Sequence, residues 1–396
     1  MICHRYLIGL LLPLCLLVNT GCRWGRAAKQ PAPKDYAHQL APGESGLVEV
    51  DAAQLPELHL TASDRAALDA ALANSLAYLA KPSATRTPFP SGITKDDVQR
   101  SCTVLRELLA SQSDDASLNR AIRERFRVLM SVGCDLQGTV LFTGYYTPIF
   151  NGSLTRSGNF IHPLYKKPAD LVPAPPLSDA PAQQRQADGS LTPYPTRAEL
   201  ERSGSLRGSE LVWLADPFEA YIVQVQGSGK IRLPSGEVID VGYDGTNNHA
   251  YHAIAEDLIA EGKIRKAELS LATMRAYFQA HPGDVAVYTA RNPRYVFFTR
   301  TTGGPFGSLG QPVTKDVSVA TDKSIFPRAA PLVVSTTSFN GDGSSVEYRA
   351  LRVDQDTGGA IRAPGRCDLY MGEGLTAERR AGYQYAEGKM FYLIAR

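Results

Sequence analysis

The last third of the chain is divided into pieces too short for anything but strands. Apolar runs at 294–299, 318–320, 332–336, 346–353, 367–371 and 390–394 are separated by turns rich in Gly and Pro. A helix that buries one face needs ten or more residues, whereas four to eight make a strand. Many short strands in succession close most economically on themselves, so this region is expected to form a small barrel.

Upstream the period is helical. Leu68, Leu72, Leu76 and Leu79 repeat at helical spacing, and Pro82 stops the run. Thr94 with Asp97 makes a box-like start for a second helix carrying Val98, Leu105 and Leu109. Leu118, Ile122, Phe126 and Leu129 predict a third. Between these helices and the barrel the pattern turns to strands again. Residues 140–146 read as one strand, and residues 168–195, rich in Pro and Ser, read as long surface loops. The alternation in Tyr221-Ile222-Val223-Gln224-Val225-Gln226-Gly227 predicts a strand that turns at Gly227-Ser228-Gly229. A hairpin around Pro234-Ser235-Gly236 follows, then two short helices near Ile254 and Leu271. The fold class expected is α+β: mainly β, with N-terminal helices.

The first residues belong to targeting. Arg5 followed by the apolar stretch 7–18 reads as a secretory signal over 1–21, too short to span a bilayer as a mature helix. Thr20-Gly21-Cys22 is a small pair before a cysteine, as in the lipobox of bacterial lipoproteins, and marks Cys22 for lipidation. Arg23 stands where an inner-membrane retention signal would place Asp, so the expected location is the periplasmic face of the outer membrane. Residues 22–46, with Pro31, Pro33 and Pro42, read as a lipid-anchored linker. Beyond Cys22 the mature chain carries Cys102, Cys134 and Cys367. In an oxidising compartment a Cys102–Cys134 bridge and three buried thiols are both open. No Cys/His spacing fits a zinc site, so no metal is expected.

With 42 Lys+Arg against 40 Asp+Glu the chain is almost neutral and has no basic stripe, which excludes a nucleic-acid partner. No Gly-x-Ser-x-Gly elbow, Walker motif or dinucleotide fingerprint is present, so no cofactor is expected. The chemistry points instead to carboxyls. Asp is rare inside strands because its side chain competes for backbone hydrogen bonds. Asp368 nevertheless sits in a strand-like run between Cys367 and Leu369. Asp356 precedes Thr357-Gly358-Gly359, and Asp322 follows Ser318-Val319-Ala320-Thr321, both in turn-like settings. Three Asp residues at strand ends can converge on a barrel mouth. A carboxyl desolvated there beside a second one holds its proton toward neutral pH and can act as a general acid.

Motifs in order along the chain add a family resemblance. They are Gly144-Tyr145-Tyr146-Thr147-Pro148, Tyr194-Pro195-Thr196-Arg197, Gln224-Val225-Gln226-Gly227-Ser228-Gly229, Asn292-Pro293-Arg294-Tyr295-Val296-Phe297-Phe298, Gly304-Pro305-Phe306-Gly307 and the two Asp segments. From about residue 90 onward this resembles the membrane-bound lytic murein transglycosylase A family. The resemblance implies a three-aspartate double-psi β-barrel interrupted by a second β-rich domain, with a glycan groove between them. The corresponding division is 47–148 for the helical part and first barrel strands, 149–286 for the inserted substrate-binding domain, and 287–396 for the catalytic part of the barrel. It assigns Asp368 as catalytic acid and base, with Asp356 close to it. Tyr145, Tyr146, Thr147, Gln224, Gln226, Gly227 and Ser228 match the segments that line the groove.

The implied substrate is the glycan strand of peptidoglycan, cut without water to leave 1,6-anhydromuramic acid ends. The resemblance leaves room for partners among cell-wall synthesis or division proteins. Two other readings stay open on the residues alone: a muramidase using both Asp356 and Asp368 to release reducing ends, and a non-catalytic peptidoglycan-binding lipoprotein. A third, metal-dependent chemistry at His249-x-x-His252 near Asp244, is outweighed by the ordinary surface or capping role of histidines at that spacing. The family pattern is departed from at Val313-Thr314-Lys315-Asp316-Val317, at 326–331, and at Cys367.

Overall fold

The computed structural model of the protein describes residues 34–396 apart from 42, 176 and 177. The signal and Cys22 lie outside the described residues. Six strands close into the expected barrel: Val140–Thr147, Ser318–Ala320, Pro331–Phe339, Ser345–Asp356, Arg366–Glu373 and Tyr385–Ala395. Ser318–Ala320 runs parallel to Ser345–Asp356, and Arg366–Glu373 runs parallel to Val140–Thr147. The other four junctions are antiparallel. Closure removes the exposed edges that such short strands would otherwise present. All these strands are longer than or equal to the apolar runs that announced them, because the barrel's outer face also accepts polar residues.

The helices cover one side of this barrel. Ala62–Leu79 and Lys95–Ser111 start with full capping boxes, Thr61 with Asp64 and Thr94 with Asp97. Each cap satisfies otherwise orphaned N–H groups, worth about 1 kcal/mol apiece. Leu68, Leu72, Val98 and Leu105 are buried in the same apolar core as Val333, Leu351 and Val353 of the barrel. The third helix is shorter than predicted. It ends at Arg125, and Phe126 and Leu129 lie in the strand Phe126–Ser131, which pairs with both Leu47–Val50 and Tyr385–Ala395. The aromatic and β-branched run Phe126-Arg127-Val128-Leu129 suits a half-buried strand, and tertiary pairing overrides the helical spacing. The linker also ends earlier than residue 46: Tyr36 donates its hydroxyl to Glu387 at 2.6 Å, and Leu40 packs on the core.

One residue, Pro148, separates the barrel strand Val140–Thr147 from the first strand of a second sheet. That sheet has the order Val296–Thr301, Val238–Thr246, Ser228–Arg232, Ile149–Ser153, Glu210–Leu214 and His162–Tyr165. It has its own core around Phe218, Ile222, Val223, Ile231 and Phe298. Its last strand lies beyond the expected boundary at 286, which falls inside the helix Asp284–Thr289. The 168–195 stretch holds a three-stranded sheet of Leu171–Val172, Gln183–Arg185 and Leu191–Pro193, not loop alone.

The segment predicted as a strand at 221–227 is part of the helix Pro217–Gln226. Asp216 caps it by accepting from the N–H groups of Phe218 and Glu219, Pro217 supplies a preset first turn, and Gly227 ends it in the left-handed conformation at φ 74°. The alternation was a coincidence of composition; the start and stop signals decide. Cys102 remains a buried thiol whose Sγ meets the Ala329 carbonyl at 3.4 Å, so the Cys102–Cys134 bridge is not formed.

Candidate active site

Where the barrel faces the second sheet, a cavity of about 210 Å³ opens onto Asp356 and Asp368. Both carboxyls are placed by strand register. Ala320 pairs with Asp356 on one side and with Asp368 on the other. Adjacent strands lie about 4.8 Å apart, so the two Asp backbones flank Ala320 at about twice that spacing. Along its strand Asp368 alternates with buried Cys367 and Leu369. Those two fill the barrel interior, and Asp368 turns outward to the cavity.

The environments of the two carboxyls differ. Asp356 accepts three hydrogen bonds: Oδ1 from the backbone N–H of Ser308 and of Thr357, both at 2.8 Å, and Oδ2 from the Tyr145 hydroxyl at 2.9 Å. Burial pushes its pKa up, and these three donors oppose the rise by holding the ionised form. Asp368 is half-buried, and its Oδ1 is enclosed with no partner. Desolvation pushes it up to about 6, against the pull of Arg366 and the Thr143 hydroxyl, and the charge of Asp356 adds to the rise. One carboxyl is therefore saturated with donors and the other is poised to keep a proton.

Of the remaining expected residues, Tyr145, Gln224, Gln226 and Gly227 line the cavity. Tyr145 packs its ring against Tyr370 at 5.1 Å. Gln224 accepts from Arg197 at 2.8 Å, and Gln226 accepts from the Tyr146 N–H at 3.2 Å. Gln224 also bonds the Tyr295 hydroxyl, whereas Gln226, with its carbonyl oxygen engaged, keeps its NH₂ group as a donor toward the cavity. Tyr146, Thr147 and Ser228 do not line it. The Tyr146 hydroxyl donates to Glu378 at 2.9 Å, Thr147 bonds the Tyr370 hydroxyl at 2.9 Å, and Ser228 opens the strand Ser228–Arg232. Successive strand residues face opposite ways, so a run of neighbours cannot all reach one groove. Asp322 does not join the other two Asp residues. It is buried in a turn, accepting from Ser324 and from the N–H of Ala363 at 3.0 Å.

The cavity also recruits residues to which the sequence assigned no role: Arg197, Tyr243, Tyr251, Asn292 and Arg294. Arg197 is buried between the rings of Tyr221 and Tyr295, at 5.0 and 4.8 Å, and donates to the carbonyls of Asn292 and Arg294. Arg197 and Arg294 stand in the quoted Tyr-Pro-Thr-Arg and Asn-Pro-Arg motifs, the only signal that could have singled them out. Tyr243 and Tyr251 carried none. His249 and His252 do not converge: the first meets the Tyr194 carbonyl and the second the Asp257 carboxylate.

Comparison with known proteins agrees with this fold. The family model described as the MltA specific insert domain matches residues 141–299, and the 3D domain model matches residues 317–394. Membrane-bound lytic murein transglycosylase A of Escherichia coli K12 is 31% identical over 266 residues, 66% of this chain and 67% of the relative. Among solved structures, the membrane-bound lytic murein transglycosylase from Agrobacterium tumefaciens has a TM-score of 0.76 at 22% identity, covering 89% of this chain and 98% of that one. The crystal structure of Escherichia coli MltA with bound chitohexaose has a TM-score of 0.67 at 23% identity, covering 93% and 97%. At those identities the two structures speak to the fold.

Proposed function

The chain belongs to the membrane-bound lytic murein transglycosylase A family, and from that premise we propose how its residues cleave peptidoglycan. The enzyme is a lytic transglycosylase: it breaks the β-1,4 bond between N-acetylmuramic acid and N-acetylglucosamine and leaves 1,6-anhydro ends. Burial raises the pKa of both carboxyls, and the observation that carries the assignment of roles is their partners: Asp368 encloses an oxygen with none, whereas Asp356 accepts from three donors that favour its ionised form.

Protonated Asp368 donates to the glycosidic oxygen as the muramoyl ring gains oxocarbenium character. The resulting carboxylate takes the proton from the 6-hydroxyl of the same sugar, which attacks C1 and closes the anhydro ring. The nucleophile is tethered to its target, so no second carboxylate is needed to activate water. Ionised Asp356 stabilises the developing positive charge, and Tyr145 holds it in place. The amide groups of Gln224 and Gln226 bind N-acetyl or hydroxyl groups of the strand. The inserted sheet and the barrel act as the two walls of the glycan groove.

The relative's name places it at the cell envelope, and we assign this protein there too. Among the described residues no helix is long and apolar enough to cross a membrane. Attachment through lipid on Cys22, at the outer membrane, accounts for a membrane-bound member of this kind and rests on the Thr20-Gly21-Cys22 signal.

Mass analysis of digested sacculi tests the reaction. Muropeptides should end in anhydro sugars, lighter by one water than hydrolysed ends; reducing ends in their place would overturn the reading. The pH profile tests the roles. Asp368 must begin protonated, so kcat/KM should fall about tenfold per unit as pH rises beyond about 6. Asp356 must be ionised, so a second fall is expected on the acid side. A rate that stays flat from pH 5 to about 8 would remove Asp368 as the acid.

A further inference from the structure

Three arginines at or beside the cavity have no carboxylate within ion-pair distance among the described residues. Arg294 lines it and donates from Nη1 to the His249 carbonyl at 3.1 Å. Arg366 precedes Asp368 by two residues on one strand and so shares its face. Its Nη2 reaches the Thr143 hydroxyl at 3.5 Å, and its Nε is buried with no partner. Arg362 follows directly on the lining segment 357–361, and its charge acts on Arg294.

Elsewhere, buried arginines either pair with an acid or, as Arg328 and Arg352 do, direct their guanidinium groups at backbone carbonyls and aromatic rings. Arg275 pairs with Glu378, Arg380 with Asp316, and Arg65 with Asp115. The acids at hand in the cavity do not serve. Asp356 spends its oxygens on Ser308, Thr357 and Tyr145, and Asp368 leaves Oδ1 unpartnered although Arg366 is close by. The cost of holding guanidinium groups out of water without counter-charges is recovered when an anion arrives.

On the transglycosylase reading, we propose that Arg294, Arg366 and Arg362 receive a carboxylate carried by the glycan strand, so that the cleft prefers acid-bearing strands to neutral ones. Peptidoglycan offers that chemistry twice. The lactyl group of muramic acid is a free carboxylate where no peptide is attached, and a stem peptide brings carboxylates of its own. Chitin-type oligosaccharides carry the same sugar backbone and N-acetyl groups without any acid. Gln224, Gln226 and Tyr145 serve both kinds of strand; the arginines distinguish them.

Binding is measured by calorimetry on the full chain carrying Asp368→Asn, which should hold strands without cutting them. The ligands are chitohexaose, peptide-free glycan strands and peptide-bearing strands. At least one acid-bearing ligand should bind about tenfold tighter than chitohexaose, with the advantage shrinking at about 1 M salt. Adding Arg294→Gln should erase that advantage while chitohexaose affinity stays within about twofold, and Arg294→Lys should keep part of it. Loss confined to peptide-free strands identifies the lactyl group; loss confined to peptide-bearing strands identifies the stem. Equal affinity for neutral and acidic strands, or an Arg294→Gln protein that loses chitohexaose to the same degree, overturns the proposal. The two levels fail separately: absence of anhydro ends in sacculus digests removes the transglycosylase reading, whereas anhydro ends without the binding preference remove only the arginine site.

Discussion

Asp368→Ala should lower sacculus solubilisation by roughly 10³-fold, within the range a positioned general acid–base group supplies. The same residue is asked to give a proton and then to take one, so neither half of the reaction has a substitute. Asp356 cannot replace it, because its oxygens are occupied by Ser308, Thr357 and Tyr145. Binding of glycan should persist, since the Gln and Tyr donors are untouched.

Asp368→Asn separates chemistry from folding. The folded-state pKa of Asp368 is raised to about 6, so the native protein holds this proton more tightly than the unfolded chain. Wild-type stability is therefore favoured below the unfolded value and lost as pH rises through about 6. The Asn variant does not ionise and should be more stable than wild type at pH 7 while equally inactive. Urea titrations at pH 5 and 7 read this directly. A variant destabilised at pH 7 would contradict the desolvation argument, and one that retains near wild-type turnover would contradict the catalytic one.

The largest expected effect on stability lies beneath the site. Asp354 is fully buried and accepts from Lys323, from the Thr321 hydroxyl at 2.7 Å and from the Tyr392 hydroxyl at 2.8 Å. Removing one member of a buried pair leaves the other charge stranded, at about 3–5 kcal/mol. Asp354→Asn should cost that amount in urea unfolding. Lys323→Met on top of it should recover most of the loss, because the stranded ammonium is then gone and the amide still accepts from the hydroxyls. A double variant as unstable as the single one would show that the charge pair is not the cause.

The effect should reach the active site through short links. The Thr321 N–H donates to the Asp356 carbonyl at 3.1 Å, and the Thr357 hydroxyl donates to the Thr321 carbonyl at 2.8 Å. Residue 321 thus ties the buried pair to the loop that carries Asp356. Activity of the single variant should fall together with its stability and return with it in the double.

The sequence alone determined what depends on neighbours along the chain. Short apolar runs with turns between them announced the barrel strands, and Thr94 with Asp97 announced a helix start that the structure contains. Asp368 stood out because a carboxyl inside a strand needs a reason. Local rules also misled where two of them competed. The alternation at 221–227 hid a helix whose evidence was Asp216-Pro217 before it and Gly227 after it. Phe126 and Leu129 kept helical spacing but were claimed by pairing with strands some 80 residues before and 260 after.

Only the tertiary structure decided which polar residues meet. Asp356 and Asp368 share a cavity because both flank Ala320, whereas Asp322 is spent on its own turn and on the Ala363 N–H. Arg197 and Arg294 join the site from segments almost a hundred residues apart, Tyr146 leaves it because the next side chain along a strand faces the opposite way, and Thr147 leaves it across an irregularity in the pairing of its strand, where it meets the Tyr370 hydroxyl. Periodicity and capping are interactions over three or four residues, so a sequence carries them openly. The proton on Asp368 and the missing counter-charges of the arginines arise from desolvation and from partners present or absent across the fold. Those quantities exist only once distant segments have closed around a common space.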